Sequence, residues 1–72
     1  MTKLPPTMTD RVYGWIVEYI DAVGYSPSVR DLQELCRVSS TSVVSYHLNK
    51  LQAAGRIVRD PAVARSIRVV GA

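Results

Sequence analysis

Ser39, Ser40, Thr41, Ser42, Ser45 and Tyr46 crowd hydroxyl groups into one short stretch, interrupted by Val43 and Val44. A hydroxyl can act as a nucleophile, or as a hydrogen-bonding group that both donates and accepts. Nucleophilic work needs a base. The single histidine, His47, falls mid-helix at the border of an apolar stripe, the usual place of a structural histidine. No glycine-flanked nucleophile turn, paired acids or phosphate loop accompanies the hydroxyls. The chain therefore reads as a non-enzyme. One cysteine, Cys36, and one histidine make no zinc set, and no cofactor is implied.

These hydroxyls need a scaffold that displays them. Val44, Leu48 and Leu51 recur at helical spacing and predict an inward stripe. The other face then carries Ser42, Val43, Ser45, Tyr46 and Asn49, with Thr41 near the cap. Small hydroxyls let a helix backbone come close to base edges, and an exposed valine can meet a thymine methyl. Tyr46 can reach a phosphate or a base. Ser40, Thr41, Ser42, Val43, Ser45 and Tyr46 are the candidate base-reading residues. The competing reading is a small-residue helix that packs on another protein.

Candidate backbone-contacting residues surround this helix. Ser28, Arg30 and Ser39 lie near the starts of the second and third helices, whose free N–H groups favour anions. Asn49, Lys50 and Arg56 flank the far end, and Arg59 and Arg65 bracket a loop. Phosphate contacts of this kind set register, while the helix reads sequence.

The elements follow from periodicity and punctuation. Residues 1–8 are expected to be a flexible tail, with Pro5 and Pro6 excluding an earlier helix, and residues 9–72 one domain. A first helix is predicted over Asp10–Val23, capped by Thr9 or Thr7. Its apolar face is Val12, Trp15, Ile16, Tyr19, Ile20 and Val23, with Trp15 and Tyr19 assigned to the core. Gly24 ends it. Ser28 and Asp31 form a capping-box variant that opens a second helix over Val29–Cys36, with Val29, Leu32 and Leu35 inward and Cys36 a buried filler. Arg37–Ser39 makes a turn, and Val38 plugs the angle. Ser40 or Ser39 caps a third helix that runs to Ala54, and Gly55 stops it. Arg56–Arg59 and Ser66–Val70 have strand composition. Residues 60–65 join them as a loop in which Pro61 blocks extension of the ladder. A two-stranded hairpin is marginal alone, so it must pack on the helices.

The expected fold is mainly α with a small β-hairpin: a winged helix-turn-helix of three helices and a two-stranded antiparallel wing. Its 72 residues allow one small core, and no apolar run is long enough for a membrane span. Net charge is +3. The positive charge gathers at the C-terminal end, where Arg56, Arg59, Arg65 and Arg68 face Asp60 alone. A polyanion partner fits this balance.

The residues also match a known family. Gly24–Leu32, Ser39–Val44, His47–Leu51, Gly55–Ile57 and Arg59–Pro61 together resemble the N-terminal DNA-binding domain of the LexA family, bacterial SOS repressors with a winged helix-turn-helix. The resemblance runs from about Thr9 to Val70. It implies that the third helix enters the major groove and that the wing, through Arg59 and Arg65, lies along the backbone. It also implies a Ser–Lys self-cleavage domain and most dimer contacts beyond the wing, which a chain ending there would lack. Tyr46 is bulkier, and Ala62–Arg65 more apolar, than the family pattern.

The resulting expectation is a cytoplasmic, nucleoid-associated, sequence-specific binder of double-stranded DNA. It would act as a repressor or competitor at LexA-like operators, suit a phage or mobile element, and pair as a homodimer on two half-sites. A protein-interaction module with a host or phage partner, and a nonspecific architectural DNA binder, are the alternatives.

Overall fold

The computed structural model describes residues 7–60 and 62–71. The expected tail up to residue 6, with Pro5 and Pro6, and the loop residue Pro61 lie outside them. The elements run α1 (Met8–Val23), α2 (Val29–Cys36), α3 (Thr41–Ala53), β1 (Ile57–Val58) and β2 (Arg68–Val69). The fold is a winged helix-turn-helix: three helices followed by a two-stranded antiparallel wing.

α1 starts two residues before its expected first residue, because Thr7 rather than Thr9 caps it. Thr7 Oγ1 accepts from the Asp10 N–H at 3.1 Å, and the Asp10 carboxylate accepts from the Thr7 N–H at 3.2 Å. This reciprocal pair satisfies donors that the first turn leaves open. Met8 packs against the core as a result. Gly24 closes the helix in the left-handed conformation, φ 90°, with its N–H on the Ile20 carbonyl. α2 keeps its expected bounds. Ser28 Oγ and the Asp31 carboxylate form the second capping box, each bond 3.0 Å long. α2 ends on Arg37 at φ 55°, in the region that favours glycine. α3 differs: Ser40 occupies the cap position, but neither it nor Ser39 makes a side-chain cap bond there.

The core is a single cluster of Val12, Ile16, Leu32, Val44, Leu48, Leu51, Ile57 and Ile67. Every helix contributes, and Ile57 and Ile67 bring in the wing. Val29, Cys36 and Val38 pack at its edge, and Leu35 is half-buried outside the cluster. Trp15 and Val23 correct the expected α1 face, since both are exposed. That face spans more of the helix than two short helices and a hairpin can cover. Tyr13 packs against the core instead. Burial pushes the Cys36 thiol pKa up, in keeping with an inert filler.

The strands are shorter than the composition predicts. Ile57 pairs with Val69 and Val58 with Arg68; the Arg56 carbonyl takes one further cross-strand bond from the Val70 N–H at 3.0 Å, while Arg59 stands outside the ladder. So short a sheet needs other ties. Ser26, buried in the α1–α2 connection, supplies one: its hydroxyl donates to the Pro27 carbonyl at 2.9 Å and accepts from the Ile67 N–H at 3.0 Å. The loop closes on itself, since Ser66 Oγ donates to the Asp60 carbonyl at 2.8 Å and accepts from the Asp60 N–H at 2.9 Å.

Candidate nucleic-acid interface

α3 is built in two halves around its circumference. Val44, Leu48 and Leu51 are fully buried and fix its rotation. That rotation leaves Thr41, Ser42 and Tyr46 exposed, while Ser40, Val43 and Ser45 are half-buried. Val43 is thus less open than its place on the helical wheel predicts. Tyr46 is 59 % exposed. Its ring carries Lys50 Nζ over one face at 5.5 Å and His47 at its edge, centroids 5.1 Å apart. His47 belongs to the frame, as its position predicted: its Nδ1 lies 2.8 Å from Thr9 Oγ1, tying the start of α1 to α3.

A cleft of about 380 Å³ runs between α3, the start of α2 and the wing. Thr41 and Ser45 line it from α3, Ser28 and Arg30 from α2, and Arg59 and Arg65 from the wing. Candidate base-reading and candidate backbone residues therefore share one concave surface. Ser40, Ser42, Val43 and Tyr46 lie outside its lining, as do Ser39, Asn49, Lys50 and Arg56.

Three of the arginines and Asn49 already have partners. Arg56 Nη1 pairs with Asp10 at 3.0 Å, and its guanidinium stacks 4.0 Å from the centroid of Tyr13. It is drawn toward α1. Arg59 Nη2 donates to Asn49 Oδ1 at 3.1 Å, and the Arg59 Nε is buried with no partner among the described residues. Arg65 is the most constrained. At φ 56° it folds back from the wing, its Nη1 at 2.9 Å from Asp31 Oδ2, 3.1 Å from the Ser26 carbonyl and 3.3 Å from Tyr19 Oη. Its guanidinium also stands over the Tyr25 ring at 5.1 Å.

These contacts move proton affinities. The Arg56 hydrogen bond, with those from Thr7, holds the Asp10 carboxyl below its ordinary pKa. The Ser28 N–H does most to lower Asp31, with help from the Ser28 hydroxyl and Arg65. Both carboxylates are charged at neutral pH, and each anchors a helix cap and an arginine at once. Sequence reading found Asp31 as a cap but missed Tyr19, Tyr25 and Ser26 as holders of Arg65. Those pairs lie up to 46 residues apart, and no local pattern marks them.

Residues 1–66 match the LexA DNA binding domain family. The chain is 40% identical to the LexA repressor of Herpetosiphon aurantiacus over 62 residues, covering 86% of this chain and 29% of that protein. It is 45% identical to the LexA repressor of a Roseiflexus species over 58 residues, 81% of this chain and 27% of the relative. With the Staphylococcus carnosus LexA repressor it shares 37% identity over 70 residues, 97% of this chain and 33% of the relative. The chain thus spans a third or less of the length of these relatives. By its sequence match and its three-helix, winged architecture, the chain belongs to the LexA DNA-binding domain family.

Proposed function

We propose that this chain binds double-stranded DNA sequence-specifically and regulates transcription, as a repressor or as a competitor at LexA-type operators. The observation that carries the reading is the division of α3. Its buried stripe fixes the helix, and its opposite side offers hydroxyls and Tyr46 beside a cleft shared with Arg30 and the wing. In this reading α3 lies in the major groove. Ser40, Thr41, Ser42, Val43, Ser45 and Tyr46 read base edges. Ser28, Arg30, Ser39 and Lys50 meet phosphates, with Asn49, Arg56 and Arg59 offering what their internal bonds leave over. Arg65 stands at the same shoulder with its charge already matched by Asp31. Two copies would occupy two half-sites, because one module of this kind buries only about 600–1,000 Å². Such a protein works in the cytoplasm on nucleoid DNA as a binder, without catalysis. No described helix is long and apolar enough to cross a membrane.

The test is fluorescence anisotropy against a labelled palindromic LexA-type operator and a scrambled duplex, at two salt concentrations. Tight, salt-sensitive binding to the operator alone is expected. Equal binding to both duplexes would convert the reading to an architectural binder. A second reading, a protein-interaction module, draws on the exposure of Tyr46 and Val63. It predicts no duplex binding at low salt.

A further inference from the structure

The wing presents a mechanical problem. Its ladder holds two residue pairs, and the backbone of the loop beyond is closed by Asp60 and Ser66. Neither fixes the angle of the loop against the helices. Besides Arg59 Nη2 on Asn49 Oδ1 at the foot of the loop, two side-chain ties cross that gap. One is the Ser26 hydroxyl on the Ile67 N–H. The other is Arg65, whose Nη1 reaches Asp31 Oδ2, the Ser26 carbonyl and Tyr19 Oη together.

Three further features mark the second tie as a device. Arg65 holds a left-handed backbone, φ 56°, which costs a non-glycine residue about 1–2 kcal/mol and needs local compensation. Tyr19 Oη donates to the same Asp31 Oδ2 at 3.3 Å, so carboxylate, phenol and guanidinium form a closed triangle. Asp31 Oδ2 also accepts from the Ser28 N–H at the start of α2. One oxygen therefore joins the wing to the helix end that faces the cleft.

We infer that Arg65 is a positioning residue for DNA recognition: it latches the wing to α2 through Asp31, with Tyr19 completing the latch from α1, so that wing and α3 present one preset surface. The inference rests on the DNA-binding reading above. It assigns a recognition role to Tyr19, a side chain outside the cleft lining. It also separates Arg65 from phosphate-contacting arginines, because its charge is used inside the protein.

The salt dependence of duplex affinity tests this. A phosphate-contacting arginine changes the slope of log affinity against log salt by about one unit when neutralised. A positioning residue lowers affinity at every salt concentration and leaves the slope alone. The probes are the whole chain, Tyr19→Phe, Arg65→Gln, Arg65→Lys and the Tyr19→Phe/Arg65→Gln double variant. Each is titrated with the same operator duplex, well below its own thermal midpoint. Tyr19→Phe changes no charge and is expected to weaken binding about two- to tenfold, the range of one lost hydrogen bond, at unchanged slope. Arg65→Gln should weaken it at least as much, again at unchanged slope. Arg65→Lys should not rescue, since a point ammonium lacks the planar fork that spans three acceptors. The double variant should fall short of the product of the single losses. A slope reduced by about one unit in Arg65→Gln, restored by Lys, with Tyr19→Phe unaffected, overturns the latch and leaves DNA binding standing. No duplex binding by the unaltered protein overturns both.

Discussion

Asn49 Oδ1 accepts a hydrogen bond from Arg59 Nη2 at 3.1 Å, joining the exposed side of the third helix to the residue just beyond the first wing strand. Two side chains expected to meet the same backbone thus hold each other first. The amide aims the guanidinium, and its flat fork keeps donors for a phosphate. Arg59→Ala should weaken every duplex and lower the salt slope by about one unit. Asn49→Ala should weaken binding while the slope stays put, because no positive charge is lost. Titrations at three or more salt concentrations separate the two; equal slopes for both variants would refute the division.

Base preference should track the open side of α3. Ser42→Ala and Tyr46→Ala are expected to change the ranking of operator variants by about 1–3 kcal/mol at single base pairs. Lys50→Ala and Arg30→Ala should shift all sequences alike. Binding measured across a set of single-base operator changes reads this directly. A preference altered by Lys50→Ala but not by Ser42→Ala would reverse the assignment.

Acid should weaken the domain through Asp10 and Asp31. Both carboxyls have lowered pKa values when folded. Their contribution is fully present above the unfolded carboxylate value of about 3.9, and is lost as pH falls through the lower folded values. Asp10→Asn should therefore lower the thermal midpoint at pH 7 by more than it does below about pH 3. Melting curves across that range check it, and a gap that stays constant down to pH 2 would rule it out.

Two backbone positions leave room for stabilisation. Gly14 sits inside α1 with open space where a Cβ would go, so Gly14→Ala should add about 0.5–1 kcal/mol. Arg37 ends α2 at φ 55°; glycine there relieves a strain of about 1–2 kcal/mol against a smaller entropic cost, for a modest net gain. Urea unfolding measures both. Duplex affinity should not change for Gly14→Ala, which alters no charge and lies outside the proposed interface.

Local signals in the chain translated well. The Ser28–Asp31 box placed α2 to the residue, and Val44, Leu48 and Leu51 set the rotation of α3. Thr7 and Thr9 could not be told apart as caps until Asp10 was seen bonded to Thr7. Trp15 showed the limit of periodicity, which marks an apolar face but not how much of it the rest of the chain can cover. Long-range pairing was the least legible. Arg56, Arg59 and Arg65 look alike as isolated basic residues, yet each meets a different partner chosen by the tertiary fold.

The two halves of α3 carry their duties on separate residues. Val44, Leu48 and Leu51 belong to the core, whereas Thr41, Ser42 and Tyr46 stand clear of it. Substitution at those outer positions changes what the helix presents without disturbing what keeps it folded. Such an arrangement is evolvable: new surfaces can be tried one side chain at a time, on a frame that does not need to be rebuilt.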